Sequence, residues 1–278
     1  AWSKAVRKIG KGTGKYAARH RREARENMEQ CRSAIPAWVM PLYRVAETVR
    51  PGRDSFDVVI VDEASQSGLD SLFLHYLGAK LIVVGDDKQI SPENVGVNRQ
   101  DVEDLRRQHI PDIPLSTTFG VETSLFDQAE IRFGNRVRLR EHFRCMPEII
   151  EFSNQLQYKG EPLVPLRQFS SGRLVPIVLR HVPDGHQEGS ASSAVNRPEA
   201  EALVAAVVAR CSDPSYEGAT MGVISLLGEA QARHIERLLL ERLGPEEMEE
   251  RRLTCGDAYS FQGDERNIMF LTMVSAPN

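Results

Sequence analysis

The sequence lacks the groups that would make a disulfide-stapled or zinc-bound protein. It has four cysteines, Cys31, Cys145, Cys211 and Cys255, and no two of them form a CxxC pair. Such scatter excludes a disulfide framework and a zinc ribbon, and reads as reduced buried thiols of a cytosolic protein. The seven histidines do not cluster; His181 and His186 flank a loop without companions, so no structural metal is expected. No apolar run approaches the roughly 20 residues of a membrane helix, and the N-terminal residues carry no signal-peptide core. The expectation is a cytoplasmic chain with no membrane partner. Internal repeats and low-complexity tracts are also missing.

What is present starts with an uneven charge. The net charge of −4 hides a first segment, residues 1–53, with 13 Lys/Arg against 4 Asp/Glu, attached to a remainder with 22 against 35. A basic block on an acidic body suits a phosphate-bearing partner, although a solvated helix face produces the same count. Residues 17–28, rich in Arg, Ala and Glu, read as a basic helix, with Arg21, Arg22 and Arg25 as candidate contacts to nucleic acid.

Two apolar runs, Phe56–Val61 and Leu81–Val84, each end abruptly in acidic residues. Continuous Val/Ile runs of this length predict parallel strands buried on both faces. Their carboxyl ends are where open α/β sheets bind ligands. Asp62-Glu63 at the first end suits a Mg²⁺-holding carboxylate followed by one that orients or activates water. Gly85-Asp86-Asp87-Lys88-Gln89 at the second adds an amide that donates and accepts at once. Further on, His142-Phe143-Arg144-Cys145-Met146-Pro147 opens a helix, with a flat ring for a base and a guanidinium for a γ-phosphate. In Phe261-Gln262-Gly263-Asp264-Glu265 the glycine permits close approach to phosphate.

The remaining pattern predicts a short strand and turn at 34–41 and a helix near 69–76. Beyond these come a polar excursion over 92–121 with a helix at 102–108, a strand at 137–139 and a helix at 146–154. A Pro/Gly-rich connector is expected over 160–176, then a strand at 177–179 and a flexible loop over 184–193. Helix 198–210, strand 222–226, helix 228–243 and strand 268–274 restore the α/β alternation. The chain is expected to form two domains divided near residue 132: 1–132, the C-terminal part of a first lobe with its basic segment, and 133–278, a second lobe.

In this order and spacing, the motifs resemble superfamily 1 helicases, in the branch containing the nonsense-mediated-decay helicase. The matching landmarks are Asp62-Glu63-Ala64-Ser65-Gln66, the Gly85-Asp86-x-x-Gln89-x-x-Pro92 run, a His-Phe-Arg-Cys-Met-Pro variant of Gln-Tyr-Arg-Met-His-Pro, and Phe261-Gln262-Gly263-x-Glu265. Gly222 to Gln231 resembles the family's strand-turn-helix that touches nucleic-acid phosphates, with Ser225 at the hydroxyl position. The resemblance implies an ATP-dependent helicase or translocase built of two RecA-like α/β lobes with parallel sheets, using ATP and Mg²⁺. By it, Asp62 holds Mg²⁺ and Glu63 orients or deprotonates the hydrolytic water. Gln89 senses the γ-phosphate, Arg144 is an arginine finger delivered across a domain interface, and Phe143 stacks near adenine. Gln262, Gly263 and Glu265 approach phosphate and ribose. The partner is single-stranded DNA ahead of RNA, together with further domains of the same polypeptide. His142, Phe143 and Met146 depart from the family spelling and point to large multidomain bacterial helicases.

The family's Walker A loop, GxxxxGK[ST], is not matched. Ile9-Gly-Lys-Gly-Thr-Gly-Lys15-Tyr16 has Ile at the first glycine position and Tyr at the Mg²⁺-binding hydroxyl, after a helix-like segment. It reads as a basic loop rather than a phosphate cradle. The family's final Arg-bearing motif is not matched either, so the chain is expected to be an internal piece of a larger helicase, inactive alone. Two other classes stay open: a metal-dependent nuclease built on Asp62 with Asp86-x-Lys88, and a non-catalytic nucleic-acid-binding fragment.

Overall fold

The structure is a computed structural model that describes residues 2–10, 12–31, 34–50, 52–89, 97–167, 169, 172–190 and 193–276. Pro92, the start of the 92–121 excursion, parts of the 160–176 connector and of the 184–193 loop, and the glycine-rich loop's Lys11 lie outside those residues. Contacts divide the chain into two compact units, Ala1–Ser171 and Gly172–Asn278. The division falls at 171/172 and not near 132. Residues 133–167 are tied to the first unit by polar bonds, Arg136 to Asp87 at 3.2 Å and Tyr158 to Asp86 at 2.6 Å.

The first unit begins with two helices, α1 (Trp2–Ile9) and α2 (Ala17–Cys31), which pair through Ala5, Ile9 and Ala24. A third helix, α3 (Leu42–Thr48), precedes strand β1 (Phe56–Val61). The chain then passes through short 3-10 turns and α4 (Leu74–Leu77) into β2 (Gly78–Val83), which pairs with β1 in parallel, Val59 opposite Leu81 and Val61 opposite Val83. One face of this sheet, carrying Val59, Val61, Leu81 and Val83, packs on Leu74, Leu77, Leu125 and Phe126. The other face is open: Val58, Ile60 and Ile82 are exposed. The expectation of burial on both faces is corrected here, since among the described residues only one layer lies against the sheet.

Next come α5 (Arg99–His109) and α6 (Leu125–Phe133). Helix α6 starts in a capping box, Ser124 and Asp127 exchanging side-chain and backbone bonds, and stops at Gly134 with φ 72°. Both are recognisable helix signals, yet this helix was not anticipated. Strand β3 (Glu141–His142) pairs in parallel with β4 (Val164–Pro165), and α7 (Pro147–Leu156) lies between them in sequence. Three expected strands do not form. Residues 34–41 run as a proline-punctuated loop that sets Trp38 edge-on to Phe56 at 5.7 Å. Residues 137–139 and 177–179 find no pairing strand among the described residues, and Leu139 and Leu179 stay 82% and 93% exposed. Segments without a neighbouring ladder cannot satisfy their backbone as strand.

The second unit is a three-stranded parallel sheet in the order β6-β5-β7, formed by β5 (Met221–Ser225), β6 (Thr254–Gly256) and β7 (Ile268–Thr272). Helices α8 (Arg197–Cys211) and α9 (Glu229–Glu250) bury Val204, Val207, Ile235 and Leu239 with Met221 and Val223. Gly244-Pro245 breaks α9, with Gly244 at φ 78°, as a proline inside a helix must. A buried amide network locks the layers. Asn196 caps α8 and donates its side chain to Val274 O at 3.1 Å, while Gln231 exchanges bonds with the Asn196 backbone and reaches Thr272 Oγ1. Among the described residues no helix is long and apolar enough to cross a membrane. Parallel sheets with covering helices make the fold the mixed α/β class expected.

Because every member of the Asn196–Gln231–Thr272 network is buried and paired, Gln231→Leu should lower unfolding free energy by about 2–4 kcal/mol, the order of one or two orphaned polar groups. Denaturant unfolding checks this; a change within about 0.5 kcal/mol, the scatter of neutral surface substitutions, contradicts it.

Candidate active site at the strand ends

The parallel ladder does not stop where the strands do. Val84 N donates to Val61 O and Ala64 N donates to Val84 O, each at 2.8 Å. The two acidic turns are therefore bonded side by side. Asp62 is exposed at this edge and accepts the Glu63 amide at 3.0 Å. Glu63 takes a left-handed backbone, φ 52°, a conformation a non-glycine residue holds only when its surroundings impose it. Its carboxylate is half-buried and accepts the Gln66 side chain at 2.9 Å. Asp86 N donates to Ser65 Oγ at 3.3 Å, joining the second turn to the first. Gly85 makes this approach feasible: a Cβ there would lie 2.8 Å from the Phe126 ring and 3.0 Å from Ser65 N.

The Asp86 carboxylate is saturated. One oxygen accepts Lys88 N at 2.9 Å, and the other accepts Tyr158 Oη at 2.6 Å and Gln89 Nε2 at 3.3 Å. Next to it, burial raises the Asp87 pKa, but the Lys88 hydrogen bond and the Arg136 and Lys88 charges outweigh it and hold the group below the usual carboxylate value. Lys88 Nζ sits on Asp87 at 2.9 Å. The nuclease arrangement therefore does not assemble, since its lysine is engaged on Asp87 and its second aspartate on Tyr158.

Arg144 follows β3 on an exposed turn into α7, and its carbonyl accepts Arg167. Phe143 is 61% exposed. His142 Nε2 stands 3.0 Å from both Cys145 N and Cys145 Sγ, folding the turn on itself. Burial lowers the His142 pKa and raises that of Cys145. Both Asp62 and Arg144 lie within the first compact unit, so the guanidinium is not held in a separate one.

In the second unit, Ser225 ends β5, 2% exposed, and its hydroxyl has no hydrogen-bond partner among the described residues. It faces the turn into α9, whose N-cap is Gly228, without a side-chain cap. The first amides of a helix left uncapped favour an anion. Gln262 Nε2 is likewise buried without a partner among the described residues, and Gly263 has φ 72° with open space where a Cβ would stand. Glu265 is exposed, its amide bonded to Asp264.

The basic segment separates into two populations. Arg21 donates to Gly12 O at 3.1 Å, and Arg25 donates to Ala46 O and Glu47 O at the end of α3. These two hold the helices together. Arg22 is exposed, 3.8 Å from Glu26. Lys15 lies in a turn between α1 and α2, with a helix and not a strand before it, so it does not stand in a Walker A setting.

The donor set suits a nucleotide and its cation. Mg²⁺ that accompanies a nucleotide is bound through one or two carboxylates plus phosphate oxygens and water. The exposed carboxylate of Asp62 beside an oriented Glu63 and a solvent-facing Gln89 matches that need. Among the described residues no three His, Cys, Asp or Glu side chains form an all-protein metal cage.

A family profile described as "AAA domain" matches residues 121–278. The mouse protein named 5'-3' DNA helicase ZGRF1 is 26% identical over 226 residues, 79% of this chain and 11% of its own length. The uncharacterized ATP-dependent helicase MG140 of Mycoplasma genitalium is 26% identical over 267 residues, 90% of this chain and 22% of its own. Its homolog in Mycoplasma pneumoniae is 26% identical over 261 residues, with the same two shares. The chain thus spans between 11% and 22% of the length of these relatives.

Arg25 and Arg22, three residues apart, test the two populations. Arg25→Met should lower unfolding free energy by about 1–2 kcal/mol through two lost carbonyl bonds. Arg22→Met should stay within about 0.5 kcal/mol, as exposed ion pairs do. Equal effects in denaturant unfolding contradict the distinction.

Proposed function

We infer, from the fact that this chain belongs to the AAA domain family of superfamily 1 helicase-like proteins, that it supplies the hydrolytic edge of an ATP-dependent helicase moving on nucleic acid. One observation carries the reading: the carboxyl ends of two parallel strands, bonded past their last residues, put Asp62, Glu63, Asp86 and Gln89 on one edge. When bound, Mg²⁺-ATP supplies the phosphoanhydride that is hydrolysed and a cation that neutralises charge on its oxygens.

The chain's own residues do the rest. Asp62 holds the cation. Glu63, fixed by Gln66, orients water and takes its proton. Gln89 contacts the γ-phosphate and that water. Arg144 neutralises charge as the γ-phosphoryl departs. Phe143 stacks on the base, and Gln262, Gly263 and Glu265 meet phosphate and ribose. Among the described residues a helix and no strand precedes Lys15, so this reading assigns the triphosphate cradle elsewhere in the full-length protein.

For nucleic acid, the Ser225 hydroxyl and the free amides at the start of α9 receive a backbone phosphate. The salt-dependent contacts fall to Arg22 and to the exposed Lys4, Arg7, Lys8, Lys15 and Arg19 of the helical hairpin, because Arg21 and Arg25 are committed to carbonyls. Residues 1–22 hold eight Lys/Arg and no acid, so nothing there repels a phosphate. DNA is the assigned partner, in keeping with the name of the mouse relative, a DNA helicase, and its single-stranded form is part of this reading.

In the full-length protein, Glu63→Gln should leave ATP binding unchanged and cut hydrolysis about a hundredfold or more, as expected for loss of a positioned base. Wild-type turnover removes Glu63 from the reaction. Charge reversal of Lys15 and Arg19 should flatten the log–log salt dependence of single-strand binding by about 0.7 per lost contact. An unchanged slope places the interface elsewhere.

A further inference from the structure

The bond from Tyr158 to Asp86 joins residues 72 positions apart, outside the motifs that suggested a motor. Tyr158 follows the end of α7, the helix that begins just beyond Arg144, and its amide donates to Asn154 O at 3.2 Å. The Arg138 guanidinium lies over its ring at 5.4 Å and is itself anchored to Glu161. The phenol therefore lies under an anchored guanidinium and presents its hydroxyl to one oxygen of Asp86. That same oxygen accepts Gln89 Nε2. Burial, then the hydrogen bond and charge of Asp86, raise the Tyr158 pKa, so the phenol stays protonated and donates throughout the ordinary pH range.

This arrangement has a chemical consequence for Gln89. A terminal amide is two-sided, and only one orientation presents its carbonyl oxygen to a water molecule. With Nε2 bonded to Asp86, Gln89 turns Oε1 the other way. Asp86 performs this only if its carboxylate cannot rotate, and three donors fix it: Lys88 N, Gln89 Nε2 and Tyr158 Oη. Of these, the Tyr158 contact is the shortest and the only one from a distant part of the chain.

We propose that Tyr158 is a positioning residue for ATP hydrolysis. Through Asp86 it fixes the amide of Gln89, and it links the second acidic turn to the helix beyond Arg144. The proposal rests on the motor reading above and adds to it a residue that touches neither nucleotide nor nucleic acid. The relay runs Ser65, Asp86, Tyr158: the Asp86 amide bonds the Ser65 hydroxyl and the Asp86 carboxylate bonds the Tyr158 phenol, which joins the first acidic turn, the second and the residue just past α7.

The test is a double-mutant cycle in the full-length protein, reading single-strand-stimulated ATP turnover and the melting temperature. Gln89→Ala should lower kcat about a hundredfold, and Tyr158→Phe about tenfold with KM for ATP within about twofold, as for a positioned group set loose. The double variant should be no slower than Gln89→Ala alone, because residues acting as one unit are not additive. Asp86→Asn, of equal size, offers Gln89 an amide or a weaker acceptor and should reproduce the Tyr158→Phe loss should that variant prove unstable. Wild-type turnover in Tyr158→Phe or Asp86→Asn, or multiplied losses in the double variant, overturns the proposal. Wild-type turnover in Gln89→Ala overturns the motor role of Gln89 itself, and with it the relay, which distinguishes the two failures.

Discussion

The parallel pairing of β1 with β2 is the constraint on which the site depends. Its register sets which side chains reach the edge, and a slip of one residue would send the core-facing Val59, Val61, Leu81 and Val83 to solvent. Packing of those four on Leu74, Leu77, Leu125 and Phe126 resists the slip. So does Gly78, where a Cβ would approach Val59 Cγ2 to 2.8 Å. Because the register is fixed, the two bonds beyond the strands, through Val61 O, Val84 and Ala64, follow. Only then can Ser65 receive the Asp86 amide and the acidic turns act as one surface.

The second unit applies the same physics at a different edge. Its central strand β5 is buried between neighbours, and the carboxyl end of that strand again meets a turn and a helix start. There the chemistry is the opposite in sign: uncapped amides beside a buried, unpaired hydroxyl in place of carboxylates. One edge suits a cation and the water it accompanies, the other an anion such as a backbone phosphate.

The sequence disclosed elements wherever burial and pattern agreed. Strands β1, β2, β5 and β7 and helices α7, α8 and α9 were legible because an apolar run or stripe ended at a turn signal and found a partner in space, and α2 and α5 from their helix-favouring composition. The strands expected at 137–139 and 177–179 also carry branched apolar residues, but strand formation needs a neighbouring ladder, which composition does not report. Helix α6 was missed although Ser124-x-x-Asp127 and Gly134 mark its ends. At the site, Asp62, Glu63 and Gln89 were legible from strand-end position, and the structure brings them to one edge. Arg21 and Arg25 were misleading: a basic helix counts the same whether its arginines meet phosphate or neighbouring carbonyls. Tyr158 and Gln66 could not be given roles from sequence, since each acts through one hydrogen bond to a carboxylate whose position depends on the fold.

The central claim is that the strand-end carboxylates form a cation and nucleotide site. A crystal of the full-length protein grown with Mn²⁺ and a non-hydrolysable ATP analogue tests it directly through the anomalous signal of the metal. The account predicts a single Mn²⁺ peak against the terminal phosphates at the Asp62 edge, with Gln89 turned toward the γ-phosphate. Nucleotide and metal bound together, with the peak away from Asp62 and the edge filled only by solvent, would contradict it.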